Sequence, residues 1–501
     1  MIGINTFASI TIGSSEISMK IFEISSKRNI KQLDNVRYPC ELGMETYSKG
    51  RLSHEIVNNV CDTLVDFTKI MKEYDVKDYI AVATSAVREA SNCLLVLDRI
   101  KLVTGLTVSI VSNSQQRFLS YNAIALKQNE FNNFVGKGAL VLDIGAGSIQ
   151  LSVYESSTLR STQNIKLGFL RIKELLQNSA NYISDYSNVL KELIDSNLNT
   201  YSELYLKAWD VNNIIVISDN SYELNKIISD KTGNVVSVKE FNKLYNLLAG
   251  LSVNQVSTKL QISSAYASLA QPVAMIINKL IDITGATNLW FPGVNVNDGI
   301  VVEYISRKGK SVFEHDFEND ALAAARQLAK KYCCDEKHSN NVESNALAIF
   351  DGLSKLHGLN KRDRLLLQIA IILHNSGKFI NMNDVSVHSH HIIIRNEIIG
   401  ISHHEREIIA DIIDSNYNLG ANTPDAIRIA KLSAIFKLAD VLDKSHLQKI
   451  KNIQVSYKDG IIMLLFKCDK DITLEKIFFD IQAEYFSVVY GIVPGIKQIH
   501  I

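Results

Sequence analysis

Two similar β-hairpins, at residues 7–24 and 139–155, constrain the fold of this chain more than any other feature of its sequence. In each hairpin, alternating apolar residues follow a short turn that contains glycine and serine, at residues 13–16 and 145–148. Such alternation is typical of β-strands, and glycine permits the backbone conformations that tight turns require. An internal repeat of this kind predicts two similar domains that face a cleft.

The 501 residues are too many for one compact core, since a domain typically has about 100–200 residues. Residues 1–125 show strands and helices in the order β-β-α-β-α-β-α. A second unit begins near Gly136 with the second hairpin. Its further predicted elements are three helices and one strand, at residues 170–178, 185–206, 263–284 and 213–217. Both patterns predict α/β layer folds.

The pattern changes near residue 306. A short basic segment at 307–310 predicts a linker, and helical periodicity dominates from residue 316 onward. The last fifty or so residues predict a strand–strand–helix–strand tail. We therefore expect two α/β domains, an all-α domain and a small α+β domain, at residues 1–125, 126–305, 306–446 and 447–501.

The composition argues against several classes of protein. The 53 basic and 53 acidic residues balance, which argues against a broad surface for nucleic acid. No apolar run approaches the ~20 residues that span a bilayer, and the first residues lack the pattern of a signal peptide. The six cysteines form no C-x-x-C pair, which is typical of reduced thiols. We expect a cytoplasmic protein that binds neither membrane nor nucleic acid.

The second glycine turn is the stronger candidate for chemistry. A predicted buried strand ends at Asp143, and Gly145, Ala146, Gly147 and Ser148 follow. Successive backbone N–H groups in such a turn can converge on an anion, and the neighbouring carboxylate can hold a divalent cation or orient a water. A tight hairpin with a capping aspartate is the alternative interpretation, and the pattern alone does not decide between them.

The first glycine turn offers fewer acidic groups. Thr11 stands where the second turn has Asp143, and a threonine hydroxyl cannot neutralise a cation. Gly13, Ser14 and Ser15 can still bind a phosphate through backbone and hydroxyl donors.

Arg88 is a further candidate phosphate ligand. It lies in the segment 83–90, which follows a predicted strand and opens a helix. A guanidinium group matches phosphate geometry with two parallel hydrogen bonds, and a helix N-terminus favours anions. The alternative is a surface arginine that pairs with Glu89 or another nearby acid.

Several segments together resemble the exopolyphosphatase/guanosine pentaphosphatase (Ppx/GppA) family. The most specific are ATSAVREASN at 83–92 and LDIGAGSIQL at 142–151. Weaker matches to the family's two-domain part lie at 42–53, 110–121 and 166–168. Weaker matches to the HD-type domain of many members lie at 373–378, 388–389 and 438–443. The matches follow the family's order over nearly the whole chain.

This resemblance implies both a fold and a chemistry. It implies two actin-like (ribonuclease-H-like) domains, followed by an all-α HD-like domain and a small α+β tail. Inorganic polyphosphate, or guanosine penta- or tetraphosphate, would bind in the cleft, where a terminal phosphoanhydride bond is hydrolysed. In the family a glutamate activates the attacking water, while the glycine turns, the arginine and a divalent cation, usually Mg²⁺, balance the phosphate charge. A homodimer is also expected.

The chain departs from the family pattern where the acids should be. The family's S-G-x-E-E-A segment reads SNSQQR at 112–117, so that Gln115 and Gln116 stand at the candidate catalytic positions. The D-I-G-G-G-S-T-E loop ends in Gln150, and a later G-G-T loop is replaced at 218–222. Glutamine can orient a water but cannot take its proton, and losing a general base typically costs about 10²–10⁴ in rate.

Asp143 is the one cleft acid of the family pattern that remains, and we expect it to act as a metal ligand or base. Glu16, displaced along the first turn, is a possible substitute for the missing aspartate. Loss of the other acids weakens the expected Mg²⁺ binding, because Mg²⁺ prefers carboxylate and phosphate oxygens.

The HD-like part is also incomplete. Such sites use two histidines and two aspartates as metal ligands, and His338, His374 and Asp440 fit this pattern. Asn375 replaces the aspartate of the adjacent histidine–aspartate pair and binds a metal more weakly because it carries no charge. Family members commonly use this domain for structure or substrate framing, so we do not predict a separate HD phosphohydrolase.

Three functions remain open from the sequence. The first is an exopolyphosphatase-type hydrolase, weakened by the missing acids. The second is a regulatory protein that binds polyphosphate or guanosine tetra/pentaphosphate without turnover. The third is an actin-like ATPase or sugar kinase, which the HD-like extension and the segment 83–92 disfavour.

Overall fold

The computed structural model describes residues 5–25, 30–178, 186–218, 234–249, 251–262, 264–307, 317–414, 425–458 and 460–499. It divides into two compact units, Met1–Asp316 and Phe317–Ile501. Of the predicted linker at 307–310, Arg307 ends a helix and residues 308–310 lie outside the described residues, as do residues 219–222 of the segment that replaces the family's G-G-T loop. The finer division into four domains stays a prediction.

The first lobe of unit 1 contains a five-stranded sheet in the order β3-β2-β1-β4-β5. Its strands are β1 (Asn5–Ile12), β2 (Glu16–Ile24), β3 (Ile30–Pro39), β4 (Asp78–Ala83) and β5 (Val108–Ile110). Strands β1 and β2 form the predicted hairpin, and β1 runs parallel to β4. The central strand β1 is buried from Phe7 onward, whereas β3 lies at the edge and is mostly half-exposed.

The helices of this lobe are α1 (Leu42–Lys49), α2 (His54–Glu73), α3 (Ser85–Glu89), α4 (Cys93–Thr104) and α5 (Asn113–Ala125). The long helix α2 begins at the predicted Ser53, whose side chain accepts a hydrogen bond from the Ile56 amide. Its residues Val60, Leu64 and Phe67 recur at helical spacing and are buried in the lobe's core.

The second lobe contains a six-stranded sheet in the order β10-β11-β9-β6-β7-β8. Its strands are β6 (Ala139–Ile144), β7 (Ile149–Glu155), β8 (Thr158–Ile165), β9 (Asn213–Ser218), β10 (Val235–Ser237) and β11 (Asn288–Trp290). Here β6, β7 and β8 form an antiparallel meander and β6 runs parallel to β9, as β1, β2, β3 and β4 do in the first lobe. The shared topology confirms the predicted repeat.

The second lobe's described helices include α6 (Gln128–Gly136), α7 (Phe169–Asn178), α8 (Tyr186–Tyr201), α9 (Val238–Ala249), α10 (Val253–Leu260) and α11 (Ser264–Thr284). A further helix, α12 (Val296–Arg307), returns to the first lobe and packs against α5 and β1. Its Val301 is fully buried in this contact, together with Phe7 of β1. This helix therefore connects the sheet of the second lobe to the core of the first.

Unit 2 is mainly helical. Its α-helices are α13 (Phe317–Lys331), α14 (Glu336–Gly352), α15 (Ser354–His357), α16 (Lys361–Leu373), α17 (Val385–Arg395), α18 (His403–Ile413), α19 (Ala426–Val441) and α20 (Thr473–Tyr490). Strands β12 (Gln454–Lys458), β13 (Ile461–Lys467) and β14 (Gly495–Ile499) form a small sheet. The tail therefore has the predicted strand–strand–helix–strand order. None of the chain's described helices is both long and apolar enough to cross a membrane.

Candidate functional site

The first glycine turn is closed by a hydrogen bond from the Gly13 amide to the Glu16 carbonyl at 2.9 Å. A Cβ atom at Gly13 would lie 2.8 Å from that carbonyl oxygen, so the turn requires glycine. Thr11 stands at the position where the family pattern has an aspartate. Its hydroxyl donates to Oδ1 of Asn297 at 2.8 Å. The carboxylate of Glu16 is buried and pairs with Arg37 at 2.6 Å, which engages the possible substitute acid in an ion pair.

The second glycine turn has the same construction. The Gly145 amide donates to the Ser148 carbonyl at 3.0 Å. The Ala146 carbonyl accepts from the amide of Leu170 at the start of α7, also at 3.0 Å. The Ser148 hydroxyl accepts from Nδ2 of Asn164 at 3.1 Å. The turn is thus held by its own backbone and by neighbours on both sides.

Both turns present backbone donors that the described protein does not use. Among the described residues of the two turns, five amide N–H groups donate to no protein acceptor, those of Ser14, Ser15, Ala146, Gly147 and Ser148. Consecutive N–H groups without acceptors at a turn are the feature that binds anions in backbone nests. The predicted phosphate-binding residues of both turns other than Gly13 and Gly145 therefore offer backbone N–H groups that suit a phosphate.

Three hydroxyl groups lie between the two turns. The Tyr47 hydroxyl is 3.0 Å from the hydroxyls of both Ser14 and Ser85, which are 2.9 Å from each other. A Cβ atom at Gly147 would lie 2.1 Å from the Tyr47 oxygen, so only glycine fits beside this tyrosine. Burial raises the pKa of Tyr47, and its two serine partners act in the opposite direction.

Arg171 of α7 holds Tyr47 from the second lobe. Its guanidinium lies 4.1 Å above the Tyr47 ring, and its Nε donates to the Gly147 carbonyl at 2.9 Å. Its Nη2 pairs with Glu89 at 2.8 Å. The second turn, α1 and α3 are therefore connected through one cationic side chain, which the sequence analysis did not single out.

Arg88 has a bracing role in this structure. Its Nη1 donates to the Val111 carbonyl at 2.6 Å, and its Nη2 donates to Oδ1 of Asn113. Both acceptors lie at the junction between β5 and α5. The neighbouring Glu89 pairs with Arg171. The phosphate contact proposed for Arg88 stays a prediction.

Two of the predicted catalytic positions lie on the first turn of α5. Gln115 forms a capping box: its amide donates to the Ser112 hydroxyl at 3.2 Å, and its side-chain Oε1 accepts from the Ser112 amide at 2.9 Å. The side chain of Gln115 is therefore committed to starting the helix. Gln116 is buried next to it.

The other two positions, Asp143 and Gln150, lie directly opposite each other on β6 and β7. Asp143 is buried and accepts a 2.6 Å hydrogen bond from the Ser120 hydroxyl. Gln150 accepts from Nε of Arg117 at 2.9 Å. Burial raises the pKa of Asp143 to about 6, although Ser120 and the positive charge of Arg117 lower it.

Arg117 is fully buried, and the sequence analysis missed it. A signal was present, because Arg117 stands where the family's S-G-x-E-E-A segment has alanine. The residues near Asp143 do not fit Mg²⁺: the set offers one carboxylate, and a guanidinium charge acts on it. Among the described residues, the group of side chains that suits a metal ion is found in unit 2 and does not include Asp143.

That group consists of His338, His374 and Asp440, three of the four predicted HD-like ligands. The Nε2 atoms of the two histidines lie 3.2 Å apart, and Oδ1 of Asp440 is 3.4 Å from each. Nδ1 of His338 donates to Asp443 at 2.9 Å, and Nδ1 of His374 donates to the Ile371 carbonyl at 2.6 Å. Both rings are thereby oriented with Nε2 toward one point, as metal-binding histidines are.

Asn375 lies beside this group and not at its centre. Its Nδ2 donates to Nε2 of His374 at 2.7 Å, so the amide presents a donor where an aspartate would present a ligand oxygen. Burial lowers the pKa of His338, but hydrogen bonds and charge from Asp440 and Asp443 raise it to about 9. For Asp440, burial raises the pKa, but the two histidines lower it well below its usual range.

Comparison with known sequences agrees with the resemblance. The sequence model of the Ppx/GppA phosphatase family matches residues 21–308, and that of Ppx/GppA phosphatase domain III matches residues 322–475. A guanosine-5'-triphosphate,3'-diphosphate pyrophosphatase of Photobacterium profundum is 18% identical over 421 residues, covering 81% of this chain and 79% of the relative. Exopolyphosphatase 1 of Mycobacterium leprae is 26% identical over 141 residues, covering 28% and 40%.

Solved structures agree on the fold. An exopolyphosphatase from Cytophaga hutchinsonii is 19% identical, with a TM-score of 0.52, and covers 62% of this chain and all of that chain. The Ppx/GppA family member from Aquifex aeolicus has the same coverage and identity, with a TM-score of 0.51. These neighbours support the predicted actin-like α/β fold of the two lobes. Because the family match spans more than half of the 501 residues, this chain belongs to the Ppx/GppA phosphatase family.

Proposed function

We propose that this chain binds the terminal phosphates of inorganic polyphosphate, or of guanosine penta- or tetraphosphate, between its two glycine turns, and that it hydrolyses the terminal phosphoanhydride bond slowly. The observation that carries the proposal is the set of five backbone N–H groups without a protein acceptor at these turns. Such donors bind phosphate oxygens and stabilise charge that develops during hydrolysis. The names of the relatives, a guanosine phosphate pyrophosphatase and an exopolyphosphatase, support the same substrate class.

Asp143 is the candidate base for this reaction. It lies two residues before Gly145 of the second turn, and a pKa of about 6 leaves it ionised at neutral pH and able to accept a proton from an attacking water. The oxygen of that water would attack the terminal phosphorus as the bond to the bridging oxygen breaks. The rate is expected to be low because Gln115, Gln116 and Gln150 cannot accept protons, a loss of about 10²–10⁴ for one base.

A second candidate function is binding without turnover. The contact between Gln150 and Arg117 favours binding without turnover. Gln150 stands at a catalytic position of the family, but here its side chain accepts a hydrogen bond from the permanently charged Arg117. A chain of this kind would report the level of polyphosphate or of a guanosine phosphate and leave the ligand intact.

Calorimetric titration of Gly147→Ala with long-chain polyphosphate tests the binding site that both functions need. The new Cβ atom would lie 2.1 Å from the Tyr47 oxygen and would displace the turn. We expect the affinity to fall about tenfold or more, the equivalent of losing one charge-assisted hydrogen bond. Gly136→Ala is the matched control, because its Cβ atom meets only the Ser157 hydroxyl at 3.7 Å.

A milder variant covers the case in which Gly147→Ala does not fold. Ser14→Ala removes one hydroxyl that accepts from the Ala86 amide and leaves the first turn's backbone intact. Its affinity is expected to fall by a smaller factor. Wild-type affinity in both Gly147→Ala and Ser14→Ala, in folded protein, would place the ligand elsewhere and overturn the proposal.

A further inference from the structure

The buried cation Arg117 is the feature of unit 1 that the proposed reaction does not use. It projects from α5 onto the end of the β6–β7 hairpin, where its Nε contacts Oε1 of Gln150 at 2.9 Å. Ser120, one helical turn later on α5, contacts Asp143 on the neighbouring strand. Helix α5 therefore makes two contacts with the strand ends beside the second glycine turn. The Arg117 cation contacts Gln150 of β7, and the Ser120 hydroxyl contacts Asp143 of β6.

A fully buried guanidinium needs a compensating arrangement. Arginine stays protonated at any physiological pH, and removing its charge from water is costly unless other groups offset the loss. Gln150 supplies an acceptor but no negative charge, and Asp143 supplies a carboxylate whose ionisation the Arg117 charge favours. The charges at this end of the hairpin consequently come from two protein side chains, the positive Arg117 and the negative Asp143.

The same residues cannot form a site for a divalent cation. A Mg²⁺ ion prefers several oxygen ligands with negative charge, and here Gln150 carries none and Asp143 is bonded to Ser120. A positive ion placed beside Asp143 would also be repelled by the guanidinium charge. Two residues together make this region unsuitable for Mg²⁺. Gln150 on β7 replaces a carboxylate, and Arg117 on α5 adds a positive charge.

We propose that the Arg117 guanidinium takes the place of the divalent cation in this chain, so that the second glycine turn binds a phosphate chain without metal. The guanidinium is a fixed positive charge beneath the turn, held by Gln150 and balanced by Asp143. It acts through the turn and not by contact with the ligand, because it is fully buried. Arg117 is therefore a positioning residue. The inference rests on the proposed phosphate ligand, but the misfit between Mg²⁺ and the described residues near Asp143 is independent of it.

The test compares polyphosphate binding by calorimetry in excess EDTA and in excess Mg²⁺. Wild-type protein is expected to bind equally under both conditions, within about twofold. The variant Arg117→Ala/Gln150→Glu restores a carboxylate and removes the cation. Its affinity in EDTA is expected to fall about tenfold or more, and Mg²⁺ is expected to recover it. A merely structural role for Arg117 would weaken binding equally under both conditions.

Two further variants control for folding and for charge. Arg117→Lys keeps the cation and is expected to remain independent of Mg²⁺. Lys20→Met/Asp298→Asn removes another buried ion pair of unit 1, at 2.7 Å, and is also expected to remain independent of Mg²⁺. Dependence of wild-type binding on Mg²⁺ would overturn the inference and leave the proposed function standing.

A direct titration with Mg²⁺ separates this inference from the proposed function. It is made in a His374→Ala background, which removes a ligand of the candidate site in unit 2. Arg117→Ala/Gln150→Glu is expected to gain a binding site for Mg²⁺ that the protein with native Arg117 and Gln150 lacks. Binding of Mg²⁺ by both proteins would overturn the inference. Failure to bind polyphosphate and guanosine penta- or tetraphosphate under any condition would instead refute the proposed function, and the Mg²⁺ titration would still decide the inference.

Discussion

The hydroxyl oxygens of Tyr47 and Ser14 lie 3.0 Å apart and join helix α1 to the first glycine turn. Ser85 completes the group of hydroxyls, and Arg171 of the second lobe lies over the tyrosine ring. The two halves of the internal repeat thus meet through Tyr47 beside the proposed phosphate site.

Substitution of Tyr47 should separate the contributions of its hydroxyl and its ring. Tyr47→Phe leaves the contact between Ser14 and Ser85 in place, so we expect a loss of only about 0.5–1.5 kcal/mol in the free energy of unfolding. Tyr47→Ala also removes the ring beneath Arg171 and is expected to cost about 3–5 kcal/mol. Chemical denaturation of both variants measures the difference. Equal losses would mean that the ring contributes nothing to the junction between the lobes.

Asp143 should make unit 1 less stable as the pH rises from about 4 to about 6. Its pKa is 3.8 in an unfolded chain and about 6 when buried, so between these values the folded state binds the additional proton. The free energy of unfolding contributed by this group therefore falls across that range, by about 3 kcal/mol. We expect Asp143→Asn, which can still accept from Ser120, to abolish this part of the pH dependence.

Denaturation of wild type and Asp143→Asn at pH 4, 5, 6 and 7 measures this effect as a difference between the two proteins. The variant should gain stability relative to wild type as the pH rises. A constant difference over the whole range would show that Asp143 has the same proton affinity in the folded and unfolded states.

Arg88 should stabilise the junction between β5 and α5. Removing it by Arg88→Ala leaves the Val111 carbonyl and the Asn113 side chain without its charge-assisted hydrogen bonds, which typically contribute about 1.5–3 kcal/mol. We expect a loss of stability of that order and weaker binding of polyphosphate. Binding with unaltered affinity would remove Arg88 from the phosphate site and leave it a structural brace.

The histidine group of unit 2 should bind a divalent transition-metal ion. Two imidazole nitrogens and one carboxylate converge, and Asp443 and the Ile371 carbonyl orient the rings. We expect calorimetric titration to detect binding of Zn²⁺ or Mn²⁺ that His374→Ala abolishes. Asp443→Asn should weaken it about 10–100-fold, as loss of a histidine's partner does at other metal sites.

The matched control for this site is His357→Gln. His357 is also buried in unit 2, but its ring bonds to the Phe350 carbonyl and the Leu359 amide, away from the metal-site group. Metal binding should be unchanged in this variant. Unchanged binding in His374→Ala as well would mean that the ion binds elsewhere.

Much of the fold could be predicted because the sequence pattern is local. Alternating apolar residues after each turn correspond to β2 and β7, the apolar runs before the turns correspond to β1 and β6, and helical spacing of buried residues corresponds to α2. Strand β3 was missed because it lies at a sheet edge and buries little of its surface. A bulge in its pairing with β2 also shifts its register, so no regular alternation is visible in the sequence.

The site was harder to predict because its contacts join distant segments. Nothing local indicates that Asn297 meets Thr11 or that Arg117 meets Gln150. Gln115 shows the opposite difficulty: Ser112 followed by a glutamine three residues later is itself the pattern of a capping box. The same glutamine also stands at a catalytic position of the family's motif, so the local pattern and the family pattern predict different roles for it.

Phosphate release from long-chain polyphosphate, measured beside calorimetric binding of the same polymer, tests the central claim most directly. A variant with Gln115→Glu, Gln116→Glu and Gln150→Glu serves as the comparison, in native and Arg117→Ala backgrounds. We predict that the native chain binds the polymer and releases phosphate at least about 10² times more slowly than the variant with all three acids and without Arg117. A native chain that binds no polyphosphate and no guanosine penta- or tetraphosphate would contradict the account.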